Sequence, residues 1–290
     1  MRTFQHVAPL RTHLRGLRAE GKSVAFVPTM GALHEGHISL FRRAKSDCDL
    51  VVASVFVNPK QFGPSEDLAS YPRDLAADLR IASDAGVGTL FHPDVEEMYP
   101  EGFQTVVDVP DLASPLEGAL RKGHYPGVAT VVTKLLNIVS ADRAYFGQKD
   151  YQQLLIIKRL ALDLNIPTEI VSVPTARAPD GLALSSRNSY LSETERVAAT
   201  ILFRAIKNAE DYVENGGTDA TDLQTRLTTL ISGEPTATID YVALVDPETL
   251  QPVENLARNT TLLALAVRIG CTRLIDNTLL VPPGMPSAAP

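Results

Sequence analysis

Pro28-Thr29-Met30-Gly31-Ala32-Leu33-His34-Glu35-Gly36-His37 sets two imidazoles and two glycines within one short stretch. An apolar, β-rich run over 24–27 precedes it, and a helical pattern opening at Ile38-Ser39-Leu40-Phe41 follows. A strand, a small-residue turn and a helix start make a pocket suited to nucleotide phosphates. A helix N-terminus offers backbone N–H groups without partners and the positive end of its dipole. Gly31 and Gly36 let the backbone come close to a ligand. His34 and His37, three residues apart, share one side of the first turn, where their ring N–H groups can donate to phosphate oxygens. For this stretch alone two other readings stay open, a structural pair and zinc ligation by His-x-x-His. Neither cysteine (Cys48, Cys271) has ligand spacing around it, and His6, His13, His92 and His124 are remote in sequence.

Four other stretches carry reactive or recognition groups, each ordinary when taken alone. Asn58-Pro59-Lys60-Gln61-Phe62-Gly63 follows an apolar run, on the edge where open α/β sheets bind ligands. Its Asn58 and Gln61 amides can hold a hydroxy acid, and a plain Asn-Pro turn is the alternative. Gly147-Gln148-Lys149-Asp150 again lies between strand and helix. There Gly147 permits close approach, Lys149 is a mobile cation for phosphate, and Asp150 can cap the helix or meet a ribose hydroxyl. Gln153 lies one turn further on. Leu184-Ser185-Ser186-Arg187 joins two hydroxyls to a guanidinium that can wrap a triphosphate, and a loop between domains can move with it. Arg121-Lys122-Gly123-His124 is a basic cluster ahead of a helix. For these last two, solvated surface charge is the alternative.

These groups need a scaffold to bring them together. The first 175 or so residues alternate short apolar runs with amphipathic ones, which predicts an α/β fold with a parallel sheet. Strands are predicted at 24–27, 50–57, 87–91, 144–146 and 168–173. Helices are predicted over 36–46, 73–85 (closed by Gly86), 127–139 and 150–165. After Pro174 the texture changes. Pro179-Asp180-Gly181 is a turn signal, and Ser192 with Glu195 has capping-box spacing for a helix running to Tyr212. Gly216-Gly217 breaks it before a helix over 218–231, and strands follow at 239–245 and 261–267. The expected organisation is a nucleotide-binding domain over 1–175 and a smaller α+β domain over 176–290. The Pro/Ala-rich end, 281–290, is expected to be a frayed tail.

Composition limits the possible functions. The chain has 290 residues, a net charge of −7 and ordinary shares of apolar (44%) and charged (21%) residues. Acidity argues against a nucleic-acid partner, so an anionic substrate must be met by a local cluster of donors. Two cysteines make no disulfide framework and fit a reducing compartment. The N-terminus has no signal-peptide core and no apolar run approaches membrane-spanning length, so a cytoplasmic enzyme without a membrane partner is expected.

The loops after successive strands can converge at one crevice, and together they resemble the pantothenate synthetase family, ligases joining pantoate to β-alanine. The matching stretches are 28–37, 56–63, 124–128, 145–153, 180–191 and 273–277, in family order across nearly the whole chain. The resemblance implies a Rossmann-like fold of the adenylyltransferase type and a C-terminal lid-like domain. It also implies ATP and magnesium, a homodimer through the first domain, and a pantoyl-adenylate intermediate. Residue by residue it implies ATP contacts at Met30, Gly31, Ala32, Leu33, His34, Glu35, Gly36 and His37. Further ATP contacts fall on Gly147, Gln148, Lys149, Asp150, Ala176, Leu184, Ser185, Ser186 and Arg187. His37, His34, Lys149 and Arg187 would be catalytic, Gln61 and Gln153 would hold pantoate, and Gln61 also lies where β-alanine enters. Asp78 resembles a magnesium-side carboxylate. Three positions depart from the pattern. Gln148 stands where a charged residue is frequent and Ala176 where a valine usually packs, both largely backbone contacts. Pro126 leaves the local geometry of the His124 stretch open.

The implied chemistry is adenylation, since a carboxylate oxygen is a poor leaving group toward an amine. In-line attack on the α-phosphorus needs positioning and charge stabilisation rather than covalent help. Two alternatives remain at this level, a nucleotidylyltransferase of the same superfamily and a nucleotide-binding regulator without turnover.

Overall fold

The computed structural model describes residues 1–64 and 66–285; residues 286–290 of the expected tail lie outside the described residues. The chain forms two compact units, one of residues 1–148 and 152–173, the other of residues 149–151 and 174–290.

The first unit carries six strands: β1 (Arg2–Phe4), β2 (Val24–Thr29), β3 (Leu50–Val55), β4 (Thr89–Phe91), β5 (Arg143–Gly147) and β6 (Glu169–Val173). Its helices are α1 (Val7–Ala19), α2 (Glu35–Asp47), α3 (Leu75–Asp84), α4 (Val95–Met98), α5 (Pro110–Ala113), α6 (Glu117–Leu120), α7 (His124–Val139) and α8 (Tyr151–Asp163), whose first residue groups with the second unit. Every strand pairing is parallel, in the order β1-β4-β3-β2-β5-β6. The chain travels outward from β2 through β3 to β4, then returns to the other side of β2 for β5 and β6. The order therefore reverses between β2 and β5, and open α/β sheets bind ligands outside the strand ends at such a reversal.

β2 and β3 are nearly continuous apolar runs because both faces are covered. Ala25, Val27, Val51 and Ala53 meet Phe41 and Ala44 of α2 and Ala82 of α3. α7 packs against β2 and against α1. The predicted parallel α/β sheet is present. Sequence patterning missed β1 and α1, and α7 starts at His124 rather than at Gly127. Pro126 fits there without distortion. It occupies the third helical position, where the missing N–H would have had no intrahelical partner.

The second unit is built on an antiparallel meander of β7 (Ala237–Val245), β8 (Thr261–Ile269) and β9 (Thr272–Leu280). Its helices are α9 (Glu193–Ala198), α10 (Ile201–Glu214) and α11 (Ala220–Ser232). Leu202, Ala205, Ile206, Ala209 and Val213 form a helical stripe on α10 that buries with Leu223, Leu227, Leu263, Leu265 and Val267. The Ser192–Glu195 capping box forms as predicted. The single helix predicted to Tyr212 is instead broken at Ala199–Thr200. Thr200 Oγ1 donates to the Val197 carbonyl at 2.7 Å, and the Thr200 N–H takes the same oxygen at 3.1 Å, tightening the turn. β9 was not predicted, because its buried face carries Thr272 and Asp276 among the leucines.

Candidate active site

The β2–α2 connection turns on two left-handed residues, Gly31 (φ 82°) and Ala32 (φ 51°). Consecutive N–H groups in such a turn converge into an anion-binding concavity. Here the anion is the protein's own. Asp78, on α3 and 3% exposed, accepts the Ala32 N–H at 3.1 Å through Oδ2 and the Leu33 N–H at 2.8 Å through Oδ1. Burial raises the Asp78 carboxyl above the ordinary carboxylate range, while the two N–H bonds act against that shift. A Cβ on Gly31 would stand 2.7 Å from Asp78 Oδ2, so glycine is needed for both its backbone angle and its bareness.

His34 is the N-cap of α2, and the two histidines cap each other's turn. His34 Nδ1 accepts the Gly36 N–H at 3.1 Å, and His37 Nδ1 accepts the His34 N–H at 3.3 Å. A backbone N–H only donates, so both Nδ1 atoms are bare acceptors and each neutral ring carries its proton on Nε2. The ring centroids stand 4.3 Å apart. The expectation that the helix start offers unpaired N–H groups is narrowed by these contacts. The N–H groups of Gly31, Ala32, Leu33, His34, Gly36 and His37 are all satisfied inside the protein. Each imidazole presents its second nitrogen, Nε2, as an N–H donor.

Asp78, the expected magnesium-side carboxylate, is tied to the β2–α2 loop. Both of its oxygens hold the loop, and among the described residues no three His, Cys, Asp or Glu side chains gather as a cation site. The zinc reading of His34 and His37 finds no third ligand among the described residues.

After β3 the chain enters a short 3-10 turn, Pro59–Gln61, capped by Asn58. Asn58 is 1% exposed and is the hub of the turn. Its Nδ2 donates to Gln61 Oε1 at 3.0 Å and to the Gly127 carbonyl at 3.1 Å. Its Oδ1 accepts the Tyr99 hydroxyl at 2.8 Å and the Lys60 N–H at 3.3 Å. Burial raises the Tyr99 hydroxyl, which keeps it a donor. With Oε1 engaged, Gln61 turns its Nε2 toward the Met30 sulfur, 3.0 Å away. The predicted hydroxy-acid turn and the predicted nucleotide loop are thus brought together at the ends of β3 and β2.

Gly147 closes β5 beside the reversal, and Gln148 follows in a 3-10 turn. Gln153 lies on α8 in the first unit. Its neighbour Gln152 is buried and pins the α5–α6 region, accepting the Glu117 N–H at 3.2 Å and donating to the Leu112 and Pro115 carbonyls at 2.8 Å.

The other candidates belong to the second unit. Ala176 and Leu184 are joined by a backbone hydrogen bond of 2.9 Å, and Ser185 caps the turn that holds Ser186 and Arg187. Arg177 braces this hairpin. Its guanidinium makes a bidentate pair with Asp276 of β9, at 2.6 and 2.9 Å, and donates to the Gly181 carbonyl. Asn277 next in line donates to the Lys149 carbonyl at 2.7 Å, and Lys149 Nζ stands 3.7 Å from Asp150 Oδ1. Asn58 and the 273–277 stretch were visible as motifs, but the bracing roles of Arg177, Asp276, Tyr99 and Gln152 left no local signal.

A model of the pantoate-beta-alanine ligase family matches residues 2–279. The pantothenate synthetase of Sinorhizobium medicae is 53% identical over 97% of each chain, and that of Heliobacterium modesticaldum is 53% identical over 97% of this chain and 99% of the other. The chain belongs to the pantoate–β-alanine ligase family. In crystal structures from the same family, pantothenate synthetase from Thermus thermophilus has a TM-score of 0.92 at 48% identity, covering 97% of this chain and all of that one. The Francisella tularensis ligase, complexed with a β,γ-ATP compound and β-alanine, has a TM-score of 0.80 at 36% identity over 96% and 97% of the two chains. Family membership sets aside both the nucleotidylyltransferase and the regulator without turnover.

Proposed function

We propose that this ligase joins pantoate to β-alanine by way of a pantoyl adenylate. As a member of its family the chain carries out the ATP-dependent condensation that forms the carbon–nitrogen bond of pantothenate. The proposal concerns the route and the residues. A pantoate carboxylate oxygen attacks the α-phosphorus of ATP and pyrophosphate leaves. The β-alanine nitrogen then attacks the acyl carbon, and AMP departs with the bridging oxygen and the electron pair of the broken C–O bond.

The observation that carries this reading is the contact of Gln61 with Met30. It sets an oriented amide donor against the loop that carries two neutral imidazoles with N–H at Nε2. Gln61, with Gln153, holds pantoate, and the Gln61 turn also admits β-alanine. His34 and His37 donate to the phosphates as charge shifts toward pyrophosphate, a role that rewards fixed donors. Met30 through His37, Gly147 through Asp150, Ala176 and Leu184 through Arg187 form the ATP contacts, with Lys149 and Arg187 as the cations on the phosphates. Magnesium enters with the nucleotide, and Asp78 is the protein carboxylate on its side. A cytoplasmic homodimer completes the proposal. The two free cysteines agree with a reducing compartment, and among the described residues no helix is long and apolar enough to cross a membrane.

Pantoate labelled with heavy oxygen in its carboxylate tests the route. Labelled AMP and unlabelled pyrophosphate are expected, together with exchange of labelled pyrophosphate into ATP when β-alanine is absent. Unlabelled AMP, or stoichiometric ADP, would refute the adenylate.

A further inference from the structure

Of the basic cluster ahead of α7, Lys122 is exposed, but Arg121 and His124 are not surface charge. His124 is 8% exposed and its ring lies between two partners of opposite kind. Nδ1 is 2.8 Å from the Gln61 carbonyl oxygen, which can only accept, so Nδ1 carries the proton. Nε2 is 2.9 Å from Arg121 NH1, which can only donate, so Nε2 is bare. The ring is therefore neutral with one tautomer imposed, and burial beside the Arg121 cation pushes its pKa down to about 4. Arg121 is itself held by Glu66 through contacts of 2.6 and 2.9 Å, and Glu66 accepts the Gly63 N–H at 3.1 Å.

A structural histidine could fill such a space, but the polar contacts at the start of α7 converge on one short segment. His124 takes the Gln61 carbonyl, the Gly127 carbonyl takes Asn58 Nδ2, and Gly127 lacks the Cβ that would collide with the Lys60 carbonyl. Asn58 fixes the Gln61 side chain, and His124 fixes its backbone. We propose that His124, locked as a neutral Nδ1–H donor by the Glu66–Arg121 pair, is a positioning residue that aims Gln61 at pantoate. The proposal rests on Gln61 as the pantoate contact.

Two substitutions separate the two ring nitrogens. In His124→Asn the amide can stand near Nδ1 and keep the bond to the Gln61 carbonyl. In His124→Gln it can stand near Nε2 and keep only the Arg121 contact. Steady-state ligation should show a pantoate KM raised about 10- to 50-fold in His124→Gln, the size of one buried hydrogen bond expressed in binding. His124→Asn should restore KM to within about 3-fold of the parent, as one conserved contact requires. Affinity for ATP, titrated without pantoate, should not change in either. Glu66→Gln, which loosens Arg121 and leaves the histidine in place, should move pantoate KM the same way and by less, and it decides the matter if a His124 variant does not fold. Equal impairment of the Asn and Gln variants, a parallel loss of ATP affinity, or a parental KM in His124→Gln would overturn the proposal. Gln61→Ala is measured alongside. If it leaves pantoate KM unmoved, Gln61 is not the pantoate contact and both readings fall. If it raises KM while His124→Gln does not, only the inference about His124 fails.

Discussion

Acid should loosen the first unit in two separable windows, and the first belongs to His124. Its folded pKa of about 4 lies below its ordinary 6.5, so between those values the unfolded chain binds more protons than the folded one. The stability it contributes is therefore fully present above pH 6.5 and is lost as pH falls toward 4. Linkage over that interval gives a loss of about 1 kcal/mol at pH 5.5 and about 2–3 kcal/mol at pH 4.5. Glu66 follows in a lower window. Burial alone would raise it, but the Arg121 hydrogen bonds and charge hold it at about 2 against an ordinary 4.5. Its contribution is intact above pH 4.5 and disappears as pH falls through 2. Urea unfolding at pH 7.5, 6.5, 5.5 and 4.5 spans the histidine window, in which His13 and His92, also lowered by burial, act in the same direction. The chain has no tryptophan, so circular dichroism is the probe. The same series on His124→Asn removes the titrating group, and the gap between the two curves should close by about 2–3 kcal/mol from pH 7.5 to 4.5. Parallel curves would show that His124 takes up its proton as readily in the folded chain as in the unfolded one, against what its contacts require.

Three other perturbations test particular contacts. Gly127→Ala would place a Cβ 2.7 Å from the Gln61 nitrogen and closer still to the Lys60 carbonyl. It should cost about 1–3 kcal/mol and raise pantoate KM, and a parental melting temperature with parental KM would show that the turn yields freely. Asp78→Asn sets an amide N–H against a backbone N–H of the β2–α2 loop. ATP affinity by titration should fall, with about 1–3 kcal/mol of destabilisation; undiminished affinity would show that the loop keeps its shape without the carboxylate. Asp276→Asn leaves the Arg177 guanidinium without its countercharge at a partner side chain only 1% exposed. A loss of about 3–5 kcal/mol should appear in the melting of the second unit, and a change below about 1 kcal/mol would make the pair dispensable.

What the sequence by itself determined is what depends on neighbours along the chain. Apolar runs and amphipathic spacing specify most strands and helices of the parallel sheet, because burial patterns repeat within one element. The His34–His37 pair is equally local. Three residues is the spacing at which a side chain reaches the N–H of its own helix turn, as it does for Ser192 and Glu195. The tertiary structure decided how the polar groups are employed. Asp78 meets a loop 45 positions away, His124 a carbonyl 63 away, and Arg177 a carboxylate 99 away. No local spacing encodes such pairs. Each exists because a buried donor or acceptor must find a partner once the strands have set which chain segments are adjacent. The same constraint selected the His124 tautomer, because the carbonyl that takes its Nδ1 proton lies 63 positions away in the chain.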